Sequence, residues 1–169
     1  MGITSPRPLQ KEDDSSLFDC GRESLNRWFQ RHAWRNQATD VSRTNVVCDS
    51  DTGQIVGYVT LANSSLQRGF LAKSHQRNMP DPLPVALLGQ LAVDVSYQRR
   101  GIASSLLFFA YRTVLEASKH VGCTAIITHP LDDSVRAFYA QHGFVDTAFD
   151  PDGSMIVRLS EIKELVVMH

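Results

Sequence analysis

The most constraining feature of the chain is a junction where an apolar run passes through a brief turn directly into a helical pattern. Residues 87–95 are almost continuously apolar, which is typical of a strand covered on both faces. An amphipathic helical pattern begins just after Gly101. Such a junction directs several unpaired backbone N–H groups and the positive end of the helix dipole toward one small volume. It therefore predicts an anion-binding site.

The turn in this junction reads Gln98-x-x-Gly101-x-Ala103, which is neither a Walker loop nor the three-glycine dinucleotide fingerprint. It resembles the pyrophosphate-binding signature of the GNAT family of N-acetyltransferases, in which backbone amides hold the diphosphate of acetyl-CoA. The resemblance implies that acetyl-CoA binds through the backbone N–H groups of Arg99, Arg100, Gly101, Ile102, Ala103 and Ser104. The structural alternative is a turn whose small residues serve only to pack the helix closely on the sheet.

A second motif follows the strand-like run at 124–128. Ala137-Phe138-Tyr139 and then Gly143-Phe144 look like the GNAT segment that carries a tyrosine beside the thioester sulfur. Asp132 or Asp133 can cap the intervening short helix, and Gly143 can end it. A neutral phenol, with a pKa near 10, can protonate a departing thiolate. The resemblance thus makes Tyr139 the catalytic residue, with simple packing of its ring as the alternative.

Two further roles in acetyl transfer are assigned with less support from the sequence. The oxyanion of the tetrahedral intermediate needs a hydrogen-bond donor. Since no dedicated side chain stands out, we expect a backbone N–H near Leu91, Ala92 or Val93 to supply it. His129 is the best-placed titratable group to assist the attacking amine, because its ordinary pKa suits proton transfer. A lone histidine is more commonly an ordinary surface or core residue.

The pattern of apolar runs predicts one α/β (α+β) domain over residues 1–169. A strand or loop is predicted near 3–9. Strands are predicted near 45–50, 54–66, 85–95, 123–128 and 154–160, with helices within 11–39, 101–119 and 132–141. The turn cluster 49–53 predicts an antiparallel hairpin, and the later strand–helix–strand order requires parallel pairing in a mixed sheet. The GNAT resemblance implies a central sheet flanked by helices, in which two strands splay apart to admit the pantetheine arm.

The N-terminal half narrows the resemblance to one branch of the family. Its elements recur in order as Phe18-Asp19-Cys20-Gly21, Leu25-Asn26-x-Trp28, Arg43-Thr44, Met79-Pro80-Asp81-Pro82 and Leu91-Ala92-Val93-Asp94. This series is similar to the acetyltransferase toxins of bacterial toxin–antitoxin modules, which acetylate the amino group of aminoacyl-tRNA. The resemblance implies a homodimer that inhibits translation and is silenced by a ribbon–helix–helix antitoxin. The chain departs from the family pattern at Gln90, where arginine is usual, and at Arg99 and Ala103, where glycine is usual.

Basic side chains that could meet an RNA acceptor recur on one predicted helix and in the long connection 65–84. Arg27, Arg31 and Arg35 repeat every four residues. The connection contributes Arg77, near Arg68, Lys73 and His75, and His129 is counted with these candidate substrate contacts. The alternative is an ordinary solvated face.

Net charge and cysteine content limit the functions and the cellular locations that the sequence allows. The formal net charge of −1 argues against a protein that coats nucleic acid along its whole surface. Three cysteines without metal-ligand spacing predict a reduced cytoplasmic protein without a metal site, and no apolar run reaches membrane-spanning length. Two other functions stay open: acetylation of a small amine or a protein N-terminus, and a non-catalytic acyl-CoA-binding module that acts through a partner.

Overall fold

The fold is a mixed seven-stranded sheet flanked by helices, seen in a computed structural model that describes residues 2–168. The strands are β1 (Arg7–Pro8), β2 (Arg43–Cys48), β3 (Ile55–Leu66), β4 (Leu83–Val93), β5 (Ala125–Thr128), β6 (Val145–Asp146) and β7 (Met155–Arg158). The α-helices are α1 (Glu23–Trp28), α2 (Trp34–Ala38), α3 (Lys73–Gln76), α4 (Ile102–Ser118), α5 (Asp133–Gln141) and α6 (Leu159–Val167). The sheet order is β1-β2-β3-β4-β5-β7-β6. β2 and β3 pair antiparallel and β4 and β5 parallel, which confirms the predicted hairpin and crossover.

The described chain divides into two compact units. The first comprises the chain up to Ala62 together with Gly89–Ala110, and the second comprises Asn63–Leu88 together with the chain from Tyr111 onwards. The prediction of a single domain over residues 1–169 stays a prediction.

An aromatic cluster forms the core of the first unit. The ring of Phe29 stacks on Tyr58 with centroids 4.2 Å apart, and Phe18 meets both rings edge-on. The buried Tyr58 hydroxyl donates a 2.9 Å hydrogen bond to the carbonyl oxygen of Leu25. This bond and the stacking attach the helical segment to β3, since a buried phenol needs a hydrogen-bond partner.

α1 and α2 are joined by a π-helical segment, Phe29–Ala33, so the helical path runs from Glu23 to Ala38 without a break. The inward residues Leu25, Phe29 and Ala33 repeat every four positions. In an α-helix, each four-residue step overshoots a full turn by about 40°. The wider π turn reduces this overshoot, which keeps the inward residues on one face. For the same reason, the π turn keeps the exposed side chains of Arg27, Arg31 and Arg35 in one row along the helix.

The helices predicted within 11–39 are found from Glu23 to Ala38, and aspartates upstream of them form local turns. Asp13 accepts the N–H of Gln10 at 2.7 Å, and Asp14 accepts that of Ser16 at 2.9 Å. Such side-chain bonds compete with helical hydrogen bonds.

The second unit has its own apolar core and contains the capped helix α5. Leu66, Leu83, Val85, Ile127 and Ile156 are among its buried residues. The side chain of Asp132 accepts the N–H of Val135 at the start of α5, and Gly143 has φ +101° after its end. Both observations confirm the helix boundaries that the sequence predicts.

The predicted closing strand 154–160 was too long, because β7 ends at Arg158 and α6 follows at once. Glu161 accepts the N–H of Arg158 at 3.1 Å, as in a capping box. The sequence does not predict this capping box, because arginine stands where serine or threonine usually caps a helix. The long connection also contains α3, and the short edge strand β6 was not predicted.

Candidate active site

Three side chains, Asp94, Tyr97 and Gln98, fix the turn between β4 and α4. Asp94 accepts the N–H groups of Ser96 at 2.9 Å and Asp19 at 3.1 Å. Gln98 donates from Nε2 to the carbonyl oxygens of Val93 at 2.9 Å and Cys20 at 3.1 Å. These bonds hold the N-terminal end of the turn within the first unit, so the backbone that leads into it is preorganised.

Tyr97 fastens the same turn to the β2–β3 connection. Its hydroxyl donates a 2.6 Å hydrogen bond to Oδ2 of Asp49, and the Arg100 guanidinium lies 5.1 Å from the centre of its ring. The bond to Asp49 raises the pKa of Tyr97, and the same bond is the main cause of the lowered pKa of Asp49. Tyr97 therefore acts as a neutral donor in this contact.

The turn presents backbone N–H groups that no part of the described chain uses. The first hydrogen bond of α4 runs from Ser105 N–H to the carbonyl oxygen of Gly101, at 3.0 Å. Within residues 2–168, the N–H groups of Gly101, Ile102 and Ala103 donate to no protein acceptor. A Cβ built on Gly101 would meet no heavy atom within 4 Å, so the space beside the turn is open. The arrangement fits an anionic group such as a diphosphate.

The backbone of the turn is left-handed at two positions, with φ +79° at Gly101 and +63° at Arg99. Glycine adopts this conformation without strain, but arginine pays for it by about 1–2 kcal/mol. The bonds made by Asp94, Tyr97 and Gln98 hold Arg99 there. Its side chain is exposed, as is that of Arg100, so both keep their charge beside the open N–H groups.

The predicted oxyanion donors lie at the end of β4. Leu91 is half-buried, and Ala92 and Val93 are buried in the first unit. The carbonyl oxygen of Val93 is the one that accepts from Gln98. Their apolar side chains leave only backbone groups to take part in chemistry there.

Tyr139 lies on α5 in the second unit and is 4% exposed. Its ring packs edge-on against Phe144, with centroids 5.1 Å apart. Burial raises the pKa of Tyr139 to about 12, although a hydrogen bond with the Thr128 hydroxyl opposes that rise. Thr128 in turn donates to the carbonyl oxygen of Leu88 at 2.9 Å. The phenol therefore stays protonated at neutral pH.

His129 follows the end of β5 and is exposed. Burial alone would raise the pKa of nearby Asp150. Hydrogen bonds from Ser154 and Asp152, together with the charge of His129, have the larger effect, so this pKa lies below its ordinary value. His129 thus has a carboxylate neighbour, and its exposure leaves it accessible to a substrate.

The basic side chains predicted to contact the substrate differ in whether an acidic side chain pairs with them. Arg27 pairs with Glu23 at 3.4 Å, whereas Arg31 and Arg35 are exposed and have no ion-pair partner within the described chain. Arg77 is exposed just after α3. Arg68 donates to the carbonyl oxygen of Met79 at 2.9 Å, so it holds its own connection together.

The structure also bears on metal binding, membrane spanning and cysteine reactivity. Between residues 2 and 168, no group of three histidine, cysteine or acidic side chains could hold a metal ion. The helices of this part of the chain are all too short or too polar to cross a bilayer. Burial raises the pKa of the Cys20 thiol, which makes it an unreactive packed residue.

Sequence reasoning missed the positioning side chains Asp94, Tyr97, Gln98 and Thr128. Gln98 belongs to the turn motif, but the spacing of that motif does not reveal that the Gln98 amide donates to two carbonyl oxygens. The signal for Asp94 was stronger, because Asp94-x-Ser96 is the pattern of an Asx turn.

Comparisons with known proteins agree with this geometry. The family model described as the acetyltransferase (GNAT) family matches residues 9–144. A tRNA-acetylating toxin of Mycobacterium tuberculosis (strain ATCC 25618 / H37Rv) is 37% identical over 150 residues, which are 89% of each chain.

Two solved structures of the toxin AtaT are similar to this chain over nearly its whole length. AtaT complexed with acetyl-methionyl-tRNAfMet superposes with a TM-score of 0.89 at 29% identity, covering 97% of this chain and 99% of that one. A tyrosine-to-phenylalanine mutant of AtaT, bound to the C-terminus of the antitoxin AtaR and to acetyl-CoA, superposes with a TM-score of 0.82 at 26% identity, covering 96% and 97%. With its turn, its fold and its sequence all in agreement, this chain belongs to the GNAT family of acetyltransferases.

Proposed function

We propose that the chain transfers an acetyl group from acetyl-CoA to the amino group of aminoacyl-tRNA and thereby inhibits translation. The observation that carries the proposal is the 37% identity to a tRNA-acetylating toxin over 89% of this chain. The complex of AtaT with acetyl-methionyl-tRNA supports the same acceptor, because AtaT has the same fold at 29% identity.

Acetyl-CoA binds through the turn that precedes α4. The open N–H groups of Gly101, Ile102 and Ala103 hold the diphosphate, with the backbone of Arg99, Arg100 and Ser104 completing the cradle. The α4 dipole and the two exposed arginines add favourable charge. The AtaT mutant bound to acetyl-CoA supports this assignment of the co-substrate.

In the reaction, the neutral amine attacks the thioester carbonyl carbon, so that a C–N bond forms and the oxygen becomes negative. A backbone N–H near Leu91, Ala92 or Val93 donates to this oxyanion. Collapse of the intermediate breaks the C–S bond. Tyr139 then donates its phenolic proton to the departing thiolate, and the proton lost by the amine restores the phenol through solvent.

Tyr139 suits this role because a phenol carries its proton at neutral pH, and burial raises its pKa further, to about 12. The hydroxyl of Thr128 fixes its orientation. His129 lies free at the end of β5 and can accept a proton from the attacking amine or contact the acceptor. No step requires a metal ion.

The acceptor RNA meets the exposed cations. Arg31 and Arg35 have free charges, Arg27 contributes a charge that Glu23 partly neutralises, and Arg77 adds one from the second unit. Phosphate contacts of this kind give affinity that falls steeply with salt.

The chain acts in the cytoplasm as a homodimer that an antitoxin of the ribbon–helix–helix class silences. The resemblance to the toxin branch supports both assignments. The AtaT mutant bound to the C-terminus of its antitoxin supports the expectation of an antitoxin partner.

The test is the rate of acetylation of charged tRNA across a salt series, for the native chain and for the double reversal Arg31→Glu with Arg35→Glu. We expect a steep decline with salt and a raised KM in the variant, with unchanged acetyl-CoA hydrolysis. The control Arg112→Glu with Lys163→Glu alters net charge equally at exposed positions on α4 and α6. A rate that responds to neither salt nor the Arg31 and Arg35 reversal would favour a small amine as acceptor.

A further inference from the structure

The two tryptophans of the chain lie on the same helical path but in opposite environments. Trp28 is half-buried and stacks on Tyr58, with centroids 6.1 Å apart. Trp34 is 38% exposed at the start of α2. Across residues 2–168, no ring or cation stacks on Trp34, and its indole N–H has no hydrogen-bond partner. Packing therefore explains Trp28 and does not explain Trp34.

The charges beside Trp34 distinguish it from an isolated exposed apolar residue. Arg35 is its neighbour in sequence, and the π segment aligns Arg31 with Arg35 along the same flank. Both guanidinium groups are exposed and without an ion-pair partner in the described chain. Trp34 thus presents a free aromatic surface at the edge of two free positive charges.

We infer that Trp34 stacks on a base of the unpaired 3′ end of the acceptor RNA, while Arg31 and Arg35 bind the adjoining phosphates. An exposed aromatic face combined with free cations is the arrangement that binds single-stranded nucleic acid. The inference rests on the proposed function, because that function brings the 3′ end of a tRNA to the protein.

The charges favour RNA over a second copy of the chain. If this face met itself across a twofold axis, both copies would bring Arg31 and Arg35 into the interface, and four positive charges without a partner in the described chain would have to be accommodated there. An acidic peptide would satisfy the arginines but would not require an exposed indole beside them.

The experiment measures tryptophan fluorescence of the full chain during titration with uncharged tRNA, either intact or lacking its 3′-terminal nucleotides. We expect the intact tRNA to quench the fluorescence and the shortened one not to do so. Trp34→Ala abolishes the quench and raises the KM for charged tRNA by about 5- to 150-fold, the range for one stacked base. Trp34→Tyr keeps a stacking ring and retains a KM near that of the native chain.

Leu17→Ala is the matched control, since Leu17 is also an exposed apolar side chain of the first unit, and it leaves the KM unchanged. A KM that is unaffected by Trp34→Ala, or a variant that lowers the oligomeric state, would overturn the inference. If the native chain transfers no acetyl group to charged tRNA, the proposed function fails, and the comparison of intact with shortened tRNA still decides the role of Trp34.

Discussion

At the scale of single residues, the proposed acetyl transfer requires the phenol of Tyr139 to stay neutral. It also requires the backbone N–H groups of the turn at Gly101 to stay accessible. Tyr139 is neutral at pH 7 as any phenol with a pKa near 10 is, and burial raises that pKa further. The turn stays open because Gly101 has no side chain and its Cβ position faces empty space. A separate substitution tests each requirement.

The first prediction concerns the phenol of Tyr139. Tyr139→Phe lowers turnover by about 10²–10⁴-fold, the range for one acid–base group. It leaves acetyl-CoA affinity unchanged and costs about 1 kcal/mol of unfolding free energy through the lost bond with Thr128. Steady-state kinetics and urea unfolding measure the two effects.

Tyr111→Phe is the matched control for this variant. Tyr111 is also buried in the second unit, and its hydroxyl donates a 2.6 Å hydrogen bond to the carbonyl oxygen of His142. Its loss costs a similar amount of stability, but turnover stays near that of the native chain. Equal turnover in the two variants would make Tyr139 a packing residue.

The second prediction concerns charge at the turn. Gly101→Asp and Gly101→Asn place nearly isosteric side chains at φ +79°, which both residues tolerate better than most. The aspartate repels the diphosphate and lowers acetyl-CoA affinity roughly ten- to a thousandfold relative to the asparagine variant. Calorimetry on both variants measures the difference. Identical affinities in two folded variants would remove the diphosphate from this turn.

At the scale of elements, the end of α5 is fitted closely to α6. A Cβ on Gly143 would lie 2.6 Å from Cδ1 of Leu165, and the backbone there has φ +101°. Both the strain and the overlap oppose any side chain at this position.

The third prediction follows from this contact. Gly143→Ala lowers the unfolding free energy by about 2–4 kcal/mol, through left-handed strain together with overpacking. Adding Leu165→Ala makes room and restores part of the loss. Gly122→Ala, where the Cβ has no neighbour within 4 Å and φ is not positive, changes stability by less than about 0.5 kcal/mol. If urea unfolding gave Gly122→Ala and Gly143→Ala the same loss of unfolding free energy, the packing argument would be contradicted.

The elements differ in how far the sequence could predict them. The β2–β3 hairpin, the parallel pair β4–β5 and the limits of α5 were accessible, because turn residues, apolar runs and caps are local signals. α6 was missed since its cap is an arginine. The π segment is not predicted either, because the four-residue spacing of Leu25, Phe29 and Ala33 is equally that of an amphipathic α-helix.

The candidate site was only partly accessible for a related reason. Gly101 and Tyr139 stand in recognisable motifs, whereas Gln98 and Thr128 act through contacts with residues far along the chain. Pairing between distant residues depends on the folded backbone. A single sequence therefore does not show which N–H groups are left unpaired or which exposed tryptophan lacks a stacking partner.

At the scale of the whole molecule, three buried tyrosines link stability to pH. Burial raises the pKa of Tyr58, Tyr111 and Tyr139 above the value near 10 of an unfolded chain. Above pH 10, the unfolded chain releases phenol protons that the folded chain retains. The fourth prediction is that unfolding free energy is insensitive to these groups below pH 10 and falls as pH rises from about 10 toward 12, by up to about 1.4 kcal/mol per pH unit for each group.

Urea unfolding at a series of pH values measures this decline. Tyr111→Phe removes one of the three groups, so its stability falls less steeply with pH than that of the native chain. The same slope in both proteins would show that Tyr111 titrates normally in the folded state.

The position of the acetyl group after reaction shows directly whether aminoacyl-tRNA is the acceptor. The chain is incubated with isotope-labelled acetyl-CoA and a mixture of charged tRNAs, the ester bonds are hydrolysed, and the released amino acids are analysed by mass spectrometry. The account predicts labelled N-acetylamino acids with the native chain and a yield lower by about 10²–10⁴-fold with Tyr139→Phe. Consumption of the thioester without any labelled N-acetylamino acid, or labelling of an added small amine alone, would contradict it.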